Sequence, residues 1–174
     1  APSGQTSHPA SRATSYLVHG DRVADADLRD AKTVEHWFQL AGVSVEAAGD
    51  ARAVVTFGDS ITDGHGATTN GNDRWPDRLA ARLQADPATR AVAVLNHGIG
   101  GNRLLNIGLG PSALARLDRD ILAQPGVKYL ILLEGINDIG TLTRDAPATS
   151  AQHDALVARM IGAYRQIVTR ARAA

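Results

Sequence analysis

Three short apolar runs, each broken by glycine and small polar residues, set the rhythm of this chain. Ala53-Val54-Val55-Thr56-Phe57 gives way to Gly58-Asp59-Ser60. Val92-Ala93-Val94-Leu95-Asn96 runs into His97-Gly98-Ile99-Gly100-Gly101-Asn102. Val127-Lys128-Tyr129-Leu130-Ile131-Leu132-Leu133 runs into Glu134-Gly135-Ile136-Asn137-Asp138. Their length and β-branched content predict strands over about 53–57, 91–96 and 127–133. The third is almost wholly apolar, the pattern of a strand covered on both faces.

Between and after these runs the apolar period lengthens. Trp75, Leu79 and Leu83 recur every four residues, with Pro76 suited to a first helical turn and Asp86-Pro87 as a stop. A polar, glycine-rich loop fills the space before them, through Asn72. Ser112 is a candidate N-cap for a helix whose apolar face is Leu114, Leu117, Ile121 and Leu122, broken by Pro125-Gly126. Leu156, Met160, Tyr164, Ile167 and Ala171 mark a last helix beginning at Ser150 or Ala151. The alternation β-α-β-α-β-α predicts an α/β domain with a parallel sheet and helices on its faces. Reactive groups of such a sheet belong at the carboxyl ends of its strands, which here carry a serine, a glycine turn and an asparagine.

The first fifty residues lack this rhythm. Residues 1–15 are rich in Ser, Thr, Ala, Pro and Gly and read as a mobile arm or linker. Residues 16–50 contain one apolar stretch, Trp37 to Val45, expected to be a strand or docking segment with Trp37 and Phe38 packed in the core. The expected division is therefore an arm and docking segment over 1–50 and an α/β unit over 51–174.

Composition narrows the function. The 174 residues suffice for about one domain with a sizeable core, and 44% are hydrophobic. Lys and Arg total 18, as do Asp and Glu, which argues against nucleic acid or an anionic membrane surface as the main partner. The first fifty residues hold 4 basic and 7 acidic groups and the remainder 14 and 11, too mild an asymmetry to name a partner. Without cysteine, disulfides, thiolate metal sites and a Cys nucleophile are excluded. No apolar run reaches the ~18 residues of a membrane span. The N-terminus has no basic-then-apolar signal pattern, although a processed secreted protein would look the same. A secreted or periplasmic setting is the working expectation.

Acyl transfer needs a nucleophile, a base and oxyanion donors. Ser60 is the candidate nucleophile; the glycines at 98, 100 and 101 let backbone N–H groups approach a substrate, and Asn137 offers a side-chain amide. Gly58-Asp59-Ser60-Ile61, then Gly101, then Gly135-Ile136-Asn137-Asp138 resembles, in type, order and spacing, three sequence blocks of the SGNH, or GDSL-like, serine hydrolase superfamily. The resemblance implies that Ser60 is the nucleophile, and that its own N–H, the Gly101 N–H and the Asn137 amide form the oxyanion hole. It also implies a flavodoxin-like sheet of order 2-1-3-4-5 and no metal or organic cofactor. The family's last block, Asp-x-x-His, supplies the base and its orienting acid, and occurs nowhere in this chain. The expectation is thus three of about five βα units. The C-terminal remainder of the domain would be a separate piece or chain, and would cover the exposed apolar edge of the third strand.

Other polar residues have quieter expected roles. Asp59 holds the turn before Ser60; Asp63 and Asn96 support the site from behind; Asp138 caps the turn that follows it. Arg103 is balanced between a substrate contact and a surface charge. Trp75 reads as core or cleft wall. His65 and His97 lie close to Ser60 in topology and read as a loop histidine and a hydrogen-bonded one; His153 reads as solvated; nothing places His8, His19 or His36 at the site. His65 with Asp63 makes too few ligands for a metal. A dinucleotide fingerprint fails at Arg103, and the α/β-hydrolase elbow fails at Thr62. The expected function is hydrolysis of a small acyl ester, an acetylated saccharide among the candidates. The alternatives are a lipase or thioesterase of the same fold and an inactive carbohydrate-binding or scaffold module. A nucleotide-binding flavodoxin-like protein ranks last.

Overall fold

A computed structural model of the chain describes residues 6–47 and 49–174. Its centre is a parallel three-stranded sheet of β5 (Arg52–Gly58), β6 (Val92–Gly98) and β7 (Val127–Leu133), in the spatial order β6-β5-β7. β5 is therefore flanked on both sides and is buried from Ala53 to Gly58. Val55 and Phe57 from this strand anchor a core with Leu104, Ala113, Leu117, Ile121, Ala163 and Ile167.

The crossovers follow the apolar spacing. α2 (Trp75–Ala85) starts with Pro76 in its first turn, where the missing N–H costs no hydrogen bond. The second crossover begins as α3 (Ala113–Leu117), capped by the Ser112 hydroxyl on the Ala115 N–H. It then widens into a π-helical turn over Asp118–Leu122. α4 (Ile136–Leu142) is short; α5 (Ser150–Ala173) is long, opened by a Thr149–Gln152 capping box, and buries Ala163 and Ile167. Met160 and Tyr164 pack against the core beside them. The mixed α/β architecture, a parallel sheet with helices packed on it, is the one the alternation of runs predicted, with three parallel strands among the described residues.

β7 departs from the expectation of two covered faces. Leu130 and Leu132 pack on the core, but Tyr129, Ile131 and Leu133 are 50%, 40% and 42% exposed. Alternate residues of a strand point to opposite faces, and among the described residues β7 pairs with β5 alone, which leaves one face and one edge open there.

The N-terminal segment also differs from expectation. Residues 1–5 of the predicted arm, and residue 48, lie outside the described residues. The rest of the arm is paired: β1 (Ser7–His8) runs antiparallel to β4 (Trp37–Phe38), and β2 (Ser15–Leu17) to β3 (Lys32–Val34). Trp37 is 38% exposed and neither it nor Phe38 belongs to the core. Their rings meet histidines instead, Trp37 with His8 at 5.8 Å and Phe38 edge-on with His36 at 4.6 Å between centroids. A two-residue strand pair offers no second layer in which a large ring could be enclosed.

Candidate active site

Three strand ends meet because the register aligns them. Gly58 pairs with Gly98 on one side and with Leu133 on the other, so the segments beginning at Ser60, Ile99 and Gly135 leave the sheet side by side. Ser60 opens a single helical turn, α1 (Ser60–Asp63), with Asp59 as its N-cap. The buried Asp59 carboxylate accepts the Ile61 N–H at 2.9 Å, the turn-holding role expected of it. Burial raises its pKa, against the pull of that hydrogen bond. The Ser60 carbonyl accepts N–H groups from Gly64 and His65, which closes the turn.

The glycine segment is pinned beside Ser60. The Ile99 N–H donates to the Gly58 carbonyl at 2.9 Å, carrying the ladder one residue past the strand. Asp63 accepts the Gly100 N–H at 3.1 Å. Asn96 donates to the Thr62 carbonyl at 2.8 Å and accepts the Gly98 N–H at 2.9 Å, so its amide ties α1 to the end of β6. A Cβ at residue 98 would collide with the Asp63 backbone, which is why only glycine fits there. Gly101 has φ +73°, the left-handed region, and its open side is covered by Leu109.

The third strand end holds the second. The Asn137 amide donates to the Asn102 carbonyl at 2.8 Å, next to Gly101 in the chain. An amide nitrogen carries two hydrogens, and this bond uses one of them. Asp138 does not cap its own turn: its carboxylate accepts Leu104 N–H at 2.6 Å and Leu105 N–H at 3.0 Å. Both of its oxygens are taken by N–H groups of the neighbouring loop, which the turn of the sheet ends brings alongside α4. Arg103 donates to the carbonyl of Ile107, within its own loop. Trp75 is half-buried at the start of α2.

Beneath these groups lies a residue that sequence reasoning passed over. Arg116, fully buried, donates to the Gly58 carbonyl at 3.0 Å, the His97 carbonyl at 2.7 Å and the Asn102 side chain at 3.0 Å. It pairs with Asp120 at 3.1 Å and Glu134 at 3.3 Å, and its guanidinium sits 3.8 Å over the Phe57 ring. One side chain thus touches the ends of all three strands. Burial lowers the Arg116 pKa, opposed by the two carboxylates. Burial also pushes Glu134 up to about 7, against the Arg116 charge. Asp120 is buried too, yet the hydrogen bonds from Arg119 and Arg116 hold it below its usual range. The signal available in the sequence was the i,i+4 pair Arg116–Asp120 flanking the apolar face of the crossover.

Of the histidines, His65 is exposed, and burial keeps the half-buried His97 below its usual pKa. His8, which the sequence left away from the site, lies with Nε2 2.8 Å from Asp63 Oδ1. Among the described residues no three His, Asp or Glu side chains converge as a metal site, and no helix is long and apolar enough to cross a membrane.

The model of the GDSL-like lipase/acylhydrolase family matches residues 56–174. This chain belongs to that family. The GDSL-like match runs from within β5 through α5 and leaves the N-terminal segment outside it. Among solved structures the chain aligns with AlinE4, described as an SGNH-hydrolase family esterase, at 21% identity and a TM-score of 0.46. That alignment covers 69% of this chain and 56% of AlinE4, so the chain spans little more than half of that esterase's length. A substituted variant of AlinE4 aligns at 19% identity and a TM-score of 0.46, over 72% of this chain and 75% of the variant. No curated protein matches.

Proposed function

We propose that this GDSL-like chain carries the nucleophile and oxyanion half of a serine esterase, within an SGNH domain unit over 51–174. In the proposed reaction the Ser60 hydroxyl oxygen attacks the ester carbonyl carbon while a base takes its proton. The oxyanion is held by the N–H groups of Ser60 and Gly101 and the Asn137 amide. Collapse expels the alcohol, and water then releases the acid from acyl-Ser60. The observation that carries this reading is the adjacency of the Ser60, Gly101 and Asn137 segments, created by the Gly58–Gly98 and Gly58–Leu133 register.

Exposed aliphatic side chains support an acyl substrate. Ile61 follows Ser60, Leu109 packs on Gly101, and Ile136 precedes Asn137; they are 52%, 74% and 54% exposed. A short acyl group, an acetyl on a saccharide included, suits a rim of this size better than a long lipid chain. The base is assigned to a histidine outside these 174 residues, because no Asp-x-x-His occurs in them. The open edge of β7, with Tyr129, Ile131 and Leu133, suits the strand that would bring it.

A second reading, an inactive carbohydrate-binding or scaffold module, draws on the histidines. His65 is exposed, and burial lowers the pKa of His97 beside the Arg116–Asp120 cluster. A fluorophosphonate probe and p-nitrophenyl acetate separate the two. Labelling and hydrolysis that vanish in Ser60→Ala support the esterase. A folded protein that neither labels nor hydrolyses, with its C-terminal complement supplied, supports the module.

A further inference from the structure

The N-terminal segment, which the family match leaves out, reaches the candidate site at one point. His8 Nε2 lies 2.8 Å from one oxygen of Asp63, and the other oxygen accepts the Gly100 N–H at 3.1 Å. Asp63 is 8% exposed, ends the turn that Ser60 begins, and its backbone lies flat against Gly98. A single carboxylate therefore joins the N-terminal segment to the glycine turn that precedes Gly101.

The docking of this segment is supported beyond that pair. Arg74 donates through Nε to the Asp63 carbonyl at 2.9 Å and through Nη2 to the Ser11 carbonyl. Asn70 donates its backbone N–H to the Arg12 carbonyl at 2.9 Å, its side-chain oxygen accepts the Thr14 backbone N–H, and its side-chain nitrogen donates to the Thr14 hydroxyl. His8 itself is held by pairing with Trp37 across β1 and β4, with the two rings 5.8 Å apart. Residues 8–14 thus wrap the loop between Ser60 and α2.

We infer that His8 is a positioning residue: through Asp63 it fixes the Gly98–Gly101 turn and so aims the Gly101 N–H at the substrate. The inference rests on the esterase reading for its catalytic meaning, but its structural content does not. An acidic side chain with two oxygens can serve two donors at once, and a hydrogen bond to a charged group is among the stronger ones. Without His8, the half of Asp63 that faces the N-terminal segment loses its donor. The carboxylate is then free to rotate away from Gly100. The groups that act on His8 are Asp63, whose hydrogen bond and charge raise its pKa, and Arg74, whose charge opposes them.

The test uses the 174-residue chain and amide hydrogen exchange read by NMR. His8→Ala should speed exchange at Gly100 about tenfold, the size of one charge-assisted hydrogen bond, while Val55 and Phe57 in β5 stay protected. His8→Gln, whose amide can donate from nearly the same place, should restore most of the protection. A wild-type His8 titration should have its midpoint above the ordinary histidine value and fall back in Asp63→Asn. Unchanged Gly100 exchange in His8→Ala, or failure of His8→Gln to restore it, overturns the inference. With the complement that makes the esterase active, His8→Ala should lower kcat on p-nitrophenyl acetate with little change in KM. If Ser60→Ala hydrolyses as well as wild type, the esterase reading fails, and the exchange data still decide what His8 holds.

Discussion

Arg116 Nη2 donates to the Gly58 carbonyl at 3.0 Å, so a side chain from the second crossover finishes the strand that presents Ser60. The same guanidinium pairs with Glu134 and Asp120 in the core. Removing it would leave the buried Glu134 without its cationic partner, leave Asp120 to Arg119 alone, and take one donor each from the Gly58 and His97 carbonyls. Arg116→Met is therefore expected to cost about 3–5 kcal/mol of stability in urea unfolding, the range for breaking a buried pair by deleting one partner. Arg116→Lys should recover only part of this, because an ammonium cannot span the same carbonyls and carboxylates at once.

Glu134 makes stability depend on pH. Its folded pKa of about 7 lies above its ordinary value, so the folded state keeps a proton that the unfolded chain has lost. The stabilisation is complete below the ordinary carboxyl range and is lost as pH rises towards 7, with a slope of at most roughly 1.4 kcal/mol per pH unit. His8, also raised, adds loss in the same direction once pH passes its ordinary value. Unfolding curves of Glu134→Gln between pH 5 and 8 should be flatter than wild type by the Glu134 share. Parallel curves would show that Glu134 does not titrate in this window.

Asn137 should separate chemistry from folding. Its amide donates one hydrogen to the Asn102 carbonyl, and the proposed mechanism uses the other for the oxyanion. In a preparation that hydrolyses p-nitrophenyl acetate, Asn137→Ala should lower kcat by ~10²–10³. The loss of stability should stay near 1 kcal/mol, since one neutral hydrogen bond is removed. Equal activity in the variant would remove the amide from the proposed oxyanion hole.

Gly101 is constrained twice. Its φ of +73° is unfavourable for any side chain, and a Cβ there would press on Leu109. Gly101→Ala should destabilise by ~1–3 kcal/mol. Adding Leu109→Ala should relieve the crowding but not the backbone strain, so the double variant is expected to recover only part of the loss. Full recovery in thermal unfolding would mean that crowding alone demands glycine.

The strands and their ends were legible because β-branched runs stop abruptly at glycine, and Ser60, Gly101 and Asn137 stand just past those stops. Pro76 and Ser112 marked their helices because their effects are local. Arg116 was not legible: an arginine in an amphipathic helix reads as surface charge, and its burial depends on three strand ends distant in sequence. The π-helical turn at Asp118–Leu122 blurred the spacing further. His8 was hidden for a related reason. Two-residue strands carry no periodic signal, and the pairing of Ser7–His8 with Trp37–Phe38 spans a long polar segment. Asp138 looked local and proved long-range because the N–H groups it serves belong to another loop.

β5 comes first of the three sheet strands in the chain yet sits between the other two. Val54 faces Val94 and Tyr129, and those partners emerge 94 − 54 = 40 and 129 − 54 = 75 positions later. During synthesis, the segment bearing Ser60 must therefore wait for both neighbours before its backbone is paired. Closing such long loops before any ladder forms makes acquisition of the native state slow. Until β7 arrives, β5, buried from Ala53 to Gly58 in the finished sheet, has one side unpaired, and the nascent chain carries an open strand edge on which other chains could pair.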